Sequence, residues 1–312
     1  MRDVRSQRGQ ATVLTVVFIT ALLGMAALVL DAGSWFREQR ATQSAADASA
    51  LAAAQALPDE PGTAGALAAE YLAKNGGGAS DVTFSAENAA NDTVKVHVSR
   101  DTPGFFAKLF GIDSVTVGAT AKARASGLEA AKWVAPIAVN LKHPQLNCGS
   151  SGGKPVPCFG EAAELNLEHL HKPGSGDASG AFGLINLDLN DSGSVGGSTL
   201  GDWIERGFDQ YMRLGTYTSV PSAKFNDSHV KGALDARLND VLLFPIYKTI
   251  TGSGSNAEYD VVGWVAFKVT SFVASGSTGK VRGSFEKVIW EGIGSQSGGG
   301  ANYGVRTVQL VD

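Results

Sequence analysis

Charge and cysteine are both scarce in this chain. Only 18% of its 312 residues are charged, 26 Lys and Arg against 30 Asp and Glu, and the formal net charge is −4. That balance gives no reason to expect nucleic acid as a partner, because nucleic-acid binding favours strongly basic patches. Histidine is limited to His97, His143, His169, His171 and His229. His169-Leu-His171, preceded by Glu168, would offer two imidazoles on one side of a strand, but no third ligand accompanies them and no metal is expected. Asp188-Leu-Asn-Asp-Ser-Gly193 mimics the start of a calcium loop yet lacks the downstream bidentate Glu, and reads as a polar turn.

Other chemistry-bearing motifs are missing as well. The glycine-rich stretches have no Lys-Ser/Thr after the glycines and no strand-to-helix setting, so they are not phosphate cradles. No Gly-x-Ser-x-Gly elbow occurs with a paired His and Asp. These gaps leave no catalytic residue and no cofactor to name. The only cysteines, Cys148 and Cys158, bracket a Gly/Pro loop. Outside the cytoplasm such a pair is expected to oxidise, and closing so short a loop stabilises it by roughly 2.5–3 kcal/mol on the chain-entropy model. Free thiols are the alternative. A zinc site would need two further ligands.

What the chain does have is one long uncharged run, Ala11 to Leu30, preceded by Arg2, Arg5 and Arg8 and followed by Asp31-Ala-Gly33. About 20 residues at 1.5 Å rise span roughly 30 Å, the thickness of a bilayer hydrocarbon core. The cationic flank precedes the run, so the positive-inside rule keeps the N-terminus cytoplasmic and the rest outside. A cleaved signal peptide has a shorter apolar core and a small-x-small site; here an acidic residue stands where a small one is wanted. A buried core helix would seldom be apolar all round behind a triply basic leader. The expected topology is therefore a single, uncleaved crossing of the inner membrane.

The helical pattern does not stop at the membrane. It is expected to run from Gln10 to Ala56, with Trp35 at headgroup level. Within the membrane half, Thr20 and Gly24 lie one turn apart and form a small-residue strip where another helix could approach closely; small residues are also common in membrane helices at large. Past it, Ala41, Ala45, Ala48 and Ala52 recur at helical spacing and make a narrow alanine seam. The seam suits either partner helices or this chain's own exterior module. Pro58 and Pro61-Gly62 break the rod. A second helix is expected over Ala64–Lys74, then a hairpin of 82–86 and 94–98, a short helix over 103–110 and a third strand over 115–124.

Arg8-Gly9-Gln10, Asp31-x-Gly33 and Arg40-x-x-Gln43-x-Ala45-Ala46-Asp47-Ala48-x-Ala50-Leu51-Ala52-Ala53-Ala54 resemble the N-terminal signature of TadE/TadG-like (Flp) pilus-assembly proteins. The resemblance covers residues 8–57 well, extends fairly to about 126 and is weak beyond. It implies a bitopic, non-enzymatic component of a tight-adherence pilus or secretion apparatus, related in layout to pseudopilins. Its partners would be the lipid bilayer and other pilus or secretion assembly proteins, with self-association left open. Some relatives are cut by a prepilin peptidase after a Gly followed by Glu about five residues on. Gly9 is present, but position 14 is Leu. Others carry a von Willebrand A domain with an Asp-x-Ser-x-Ser loop; Asp191-Ser-Gly-Ser194 has Gly where the first Ser is required, so no such domain is expected.

From about Ala130 onward a second exterior domain is expected. Strands are read at Trp133–Val139, Phe182–Leu189, Val241–Ile250, Tyr259–Val273 and Lys280–Trp290, with Val305–Val311 closing the sheet. Helices are read at Thr199–Leu214, begun by a Thr199/Asp202 capping box, and at Asp227–Asn239. Long sequential strands joined by Gly/Ser turns favour an antiparallel meander. The expected fold is α+β, built as a long N-terminal transmembrane, pilin-like helix, a small α+β module and a larger, mainly antiparallel β domain with helices. The expected boundaries are a basic leader over 1–10, the span over 11–30, the helix plus module over 31–128 and the second domain over 129–312. The competing function is a membrane-anchored surface binding (adhesin-like) module, with the second domain as its head.

Overall fold

The computed structural model describes residues 7–151, 154–166, 183–189, 195–252, 256–275, 279–295 and 303–312. Arg2 and Arg5 of the basic leader, the His169/His171 pair and the Asp191–Ser194 segment lie outside the described residues. The chain forms two units, Met1–Arg124 with Gln309–Asp312, and Ala125–Val308.

In the first unit, helix α1 (Gln7–Ala54) is a single uninterrupted element. Its segment from Ala11 is long and apolar enough to cross a membrane, and that apolar stretch is not buried by the protein. Beyond it the helix acquires one buried stripe, Thr42, Ala45, Ala46, Ser49, Ala50, Ala52, Ala53 and Ala54, at the i, i+3, i+4, i+7 spacing of a helix face. The helix ends two residues before the expected Ala56. Gln55, Ala56 and Leu57 tighten into i→i−3 hydrogen bonds, because a residue preceding proline disfavours the α conformation and Pro58 follows. Helix α2 (Pro61–Lys74) starts with proline in its first turn, where no N–H partner is lost. It buries Ala64, Ala68 and Leu72 and stops at Asn75-Gly76-Gly77-Gly78, whose three glycines all have positive φ.

Strands β1 (Ala79–Ser85), β2 (Thr93–Pro103) and β3 (Ser114–Ser126) form an antiparallel meander. The β2 residues Val94, Val96 and Val98 alternate inward and are fully buried, the period-2 pattern of a sheet with one covered face. Helix α1 packs against both α2 and β2. The expected helix over 103–110 is smaller than read: Pro103 ends β2, and only Ala107–Phe110 form a 3-10 turn, capped by Gly111 in the left-handed region.

The second unit contains strands β4 (Leu128–Ala131), β5 (Val139–Asn140), β6 (Gly149–Ser151), β7 (Lys154–Val156) and β8 (Ala162–Asn166). Helix α3 (Gly197–Glu205), β9 (Met212–Arg213), β10 (Gly215–Thr218) and helix α4 (Ser228–Ala236) come next. The long strands β11 (Val241–Thr251), β12 (Glu258–Val273) and β13 (Lys280–Glu286) precede β14 (Val288–Ile289), β15 (Gly292–Gly294) and β16 (Val305–Val311). The main sheet runs β5-β11-β12-β13-β8, with β10 also paired to β12. Its centre, β11-β12-β13, is the antiparallel meander expected from the Gly/Ser turns.

This sheet is buried on both faces. Along β11, Leu242, Phe244 and Ile246 enter one core with Leu200, Ile204, Val230 and Leu234 of the two helices, while Leu243 and Tyr247 enter another with Tyr217 and Met212. The β11–β12 register passes from Ile246↔Gly263 to Tyr247↔Val261, leaving Val262 as a bulge. A one-residue insertion reverses which face each side chain takes. Thus Tyr259 and Val261 before the bulge share a core with Trp264 and Ala266 after it.

Several expected elements are shorter than read. Helix α3 ends at Glu205 rather than Leu214, and its N-cap is Gly196 with no side-chain cap, so the Thr199/Asp202 box does not form. The stop is Gly207, at φ +81°, where a Cβ would lie 2.5 Å from the backbone of Trp133. The chain then turns to pair Phe208 with Val134. Asp227 caps α4 through its side chain. Within Trp133–Val139 only Val134 and Ile137 make isolated bridges and only Val139 belongs to a strand, and Val305–Val311 pairs in parallel with β14 instead of closing the main sheet.

Candidate functional site

The residues of the N-terminal signature converge on one region, the half of α1 beyond the apolar run. Asp31 is the first residue after that run, and it is 1% exposed. Its carboxylate accepts from the backbone N–H groups of Phe105 (3.0 Å), Phe106 (3.0 Å to Oδ2) and Ala107. Burial alone would raise its pKa; the three N–H donors outweigh that and hold the carboxyl below the usual range. A helix residue 74 positions away from Phe105 in sequence therefore holds the turn that follows β2. Gly104 fits into the same corner, where a Cβ would come within 2.9 Å of Ala107 Cβ and 3.7 Å of the Trp35 ring.

Two and three turns beyond Asp31, Gln39 Nε2 donates to the Gly118 carbonyl at 2.7 Å, and Gln43 Nε2 to Asp47 Oδ1 at 2.8 Å and to the Thr120 carbonyl at 3.3 Å. Both glutamines tie α1 to β3. Arg100, on β2, donates through Nη1 to Glu38 Oε1 (3.0 Å), through Nε to the Gly77 carbonyl (2.7 Å) and through Nη2 to the Asn75 carbonyl (2.6 Å). A single guanidinium thus joins α1, the glycine turn after α2, and the sheet. At the far end of the β1–β2 hairpin, Asp92 accepts from the N–H groups of Glu87, Asn88 and Ala89 and from the Thr93 hydroxyl. Burial raises its pKa, and these donors bring it net below the ordinary value.

The alanine seam divides. Ala45 and Ala52 are buried inside their own unit, Ala48 is half-buried and Ala41 is exposed. The covered face is centred on Ala45, Ala46, Ser49, Ala52 and Ala53, turned from the expected line toward α2 and β2. Thr20 and Gly24 lie on the exposed helix. Thr20 Oγ1 donates to the Val16 carbonyl at 2.8 Å, and a Cβ at Gly24 would meet nothing within 4 Å. Cys148 and Cys158 form a disulfide with Cα atoms 5.4 Å apart. It staples the loop containing β6 and β7 beside the 3-10 turn Pro144–Leu146.

The described histidines are dispersed. His97 Nδ1 meets Thr120 Oγ1 on the first sheet, and His229 sits beside the Asp227 cap. Burial lowers the pKa of His143, whose Nε2 donates to the Glu164 carbonyl at 3.2 Å against the edge of Phe285. Among the described residues, no three His, Cys, Asp or Glu side chains gather as a metal site. The second unit does hold a cleft of about 270 Å³ between Trp133, Trp203, Trp290, Arg206 and Arg237. Trp133 adopts φ +59°, a strained value for a bulky residue, and its Nε1 donates to Glu291 Oε2 at 2.8 Å. Sequence reasoning missed the roles of Asp31, Arg100 and this cleft. Only Asp31 carried a signal, an acid placed directly against an apolar run.

No curated protein and no solved structure matches the chain. A family model does match within it, over residues 9–56, the stretch holding the apolar run, Asp31, Gln43 and the alanine face: it is that of the Flp pilus-assembly TadE/G-like proteins.

Proposed function

We propose that the protein is a membrane-anchored, non-enzymatic structural component of a Tad (Flp) pilus or a related secretion apparatus. The observation that carries this reading is the match over residues 9–56 to a pilus-assembly family, together with an apolar helix segment that the protein itself leaves uncovered. In this reading α1 crosses the inner membrane once with its N-terminus cytoplasmic. Both units stand outside. The Thr20/Gly24 strip offers partner helices a close approach within the bilayer, and Ala41 and Ala48 remain accessible to assembly partners beyond it.

The test joins topology to assembly. Protease added to intact spheroplasts should digest the chain after Asp31 and spare an N-terminal tag. A photo-crosslinker at Thr20 or Ala41 should capture other pilus or secretion proteins, and deletion of the gene should abolish assembly. Protection of the C-terminus overturns the topology. Unchanged piliation with no crosslinks overturns the assembly role.

The cleft lined by Trp133, Trp203 and Trp290 favours a second reading, in which the second unit is a binding head on a plain anchor. Aromatic walls with a few polar groups are the usual make-up of a ligand site. Under that reading, replacing Trp203 by Ala abolishes surface adhesion while assembly persists.

A further inference from the structure

We propose that the segment Phe105–Ile112 is an interfacial wedge that lies in the outer headgroup boundary of the bilayer crossed by α1, so that lipid, not protein, covers it. The proposal rests on the reading of α1 as a membrane span. Five large apolar side chains, Phe105, Phe106, Leu109, Phe110 and Ile112, fall within these eight positions, and none is buried: Leu109 is 82% exposed and Phe110 81%. Removing such side chains from water is favourable in proportion to the apolar area covered. A cluster of this kind left on a surface marks an interaction site.

Where the segment is held identifies its occupant. The Asp31 carboxylate takes the N–H groups of Phe105, Phe106 and Ala107, and Asp31 directly follows the uncharged run 11–30. The rest of the segment cannot stray. Gly104 N–H donates to the Asp113 carbonyl at 3.0 Å and Ile112 N–H to the Ala107 carbonyl at 3.1 Å, closing the loop on itself. Its depth is therefore fixed by the helix: with residues 11–30 filling the hydrocarbon layer, a segment hydrogen-bonded to residue 31 sits at the edge of that layer. Val29 and Leu30, the last residues of that run, are themselves exposed.

The polar groups nearby have the character of a membrane interface. Arg37 and Lys108 are exposed, and the Arg40 guanidinium lies 4.6 Å above the ring of exposed Phe36. Aromatic rings with cations beside them are the residues that populate the headgroup region, the cations meeting lipid phosphates.

The test uses the full chain in vesicles of phosphatidylethanolamine and phosphatidylglycerol, spin-labelled at one introduced cysteine at a time. Both native cysteines are paired and do not compete for label. Relaxation by oxygen and by a water-soluble nickel chelate reports depth. Labels at Leu109→Cys and Phe110→Cys should favour oxygen several-fold over nickel, whereas a label at Ser80→Cys, on exposed β1, should favour nickel. A label at Val17→Cys reports the span itself. Lipid exposure at 17 with positions 109 and 110 as open to nickel as 80 overturns the wedge and leaves the anchor standing. Nickel access at 17 overturns the anchor, and the wedge with it. Shielding of 109 and 110 from both reagents means that protein covers them, which overturns the lipid assignment. Asp31→Ala should raise label mobility at 109 without changing the signal at 17; unchanged mobility removes Asp31 from the argument.

Discussion

Arg100 Nη1 donates to the carboxylate of Glu38 at 3.0 Å, a bond between residues 62 positions apart in sequence. Arg100 is the more buried partner, with 12% of its side chain exposed against 34% for Glu38, and it also serves the two carbonyls at the end of α2. Arg100→Ala would leave three acceptors without their donor and should cost about 2–3 kcal/mol. Glu38→Ala should cost on the order of 1 kcal/mol or less, because solvent screens that end of the pair. A double-mutant cycle on the full chain in detergent, followed by chemical unfolding, measures both. Equal losses would mean that the ion pair, not the carbonyl latch, is what matters.

Acid should weaken the first unit through Asp31 and Asp92. Both carboxyls have folded-state pKa values below the ordinary 3.8. The unfolded chain therefore takes up these protons first as the pH falls, and their contribution is complete above the unfolded value and is lost through the depressed folded ones. At pH 7, Asp31→Asn and Asp92→Asn should each be less stable than the parent. The gap should begin to close as the pH drops below about 4. A gap that widens with acid would contradict the hydrogen-bonding pattern described for these two groups.

Ala45→Leu and Ala41→Leu separate core from surface on one helix. Ala45 has no exposed surface and faces α2 and β2, so three added carbons should overfill the face at a cost of roughly 1–3 kcal/mol. Ala41 is exposed, and the same change there should stay within about 0.5 kcal/mol. Melting temperature reads the first effect, and crosslinking to assembly partners reads any external role of Ala41. A drop for both variants would extend the packed face around the helix.

Cys148 and Cys158 should run as an intact disulfide in mass spectrometry without reductant. Their sequence separation of 10 closes a short loop, so Cys148→Ser should lower stability by at most about 3 kcal/mol and leave the main sheet folded. Loss of the β11–β13 core signals in that variant would show that the staple supports far more than its own loop.

Much of this fold was legible because its signals were local. Alternating Val94, Val96 and Val98 on β2 and the long runs of β11 and β12 gave strands by period, and Pro58, Pro61 and the Asn75–Gly78 run punctuated the helices. What stayed hidden was set by distant contacts. Helix α3 stops at Gly207 because the backbone of Trp133 occupies the space a side chain would need, and nothing beside Gly207 in sequence announces that. Helical periodicity located an alanine stripe on α1 but not its angle, since the two neighbours that choose the angle come from α2 and β2. Asp31 looked like the end of an apolar run; its partners at 105–107 lie across a whole hairpin.

The absence of any break in α1 has a mechanical consequence. At 1.5 Å per residue, the 48 residues from Gln7 to Ala54 make a shaft about 70 Å long. Only Gly9, Gly24 and Gly33 interrupt its run of side chains, and there is no proline to act as a joint. Because Asp31, Glu38, Gln39 and Gln43 bolt its outer part to the sheet and its turns, rotation of the inner part about its own axis must turn the first unit by the same angle. In the membrane placement proposed above, torque applied within the bilayer would thus reach the first unit through an unbroken helix.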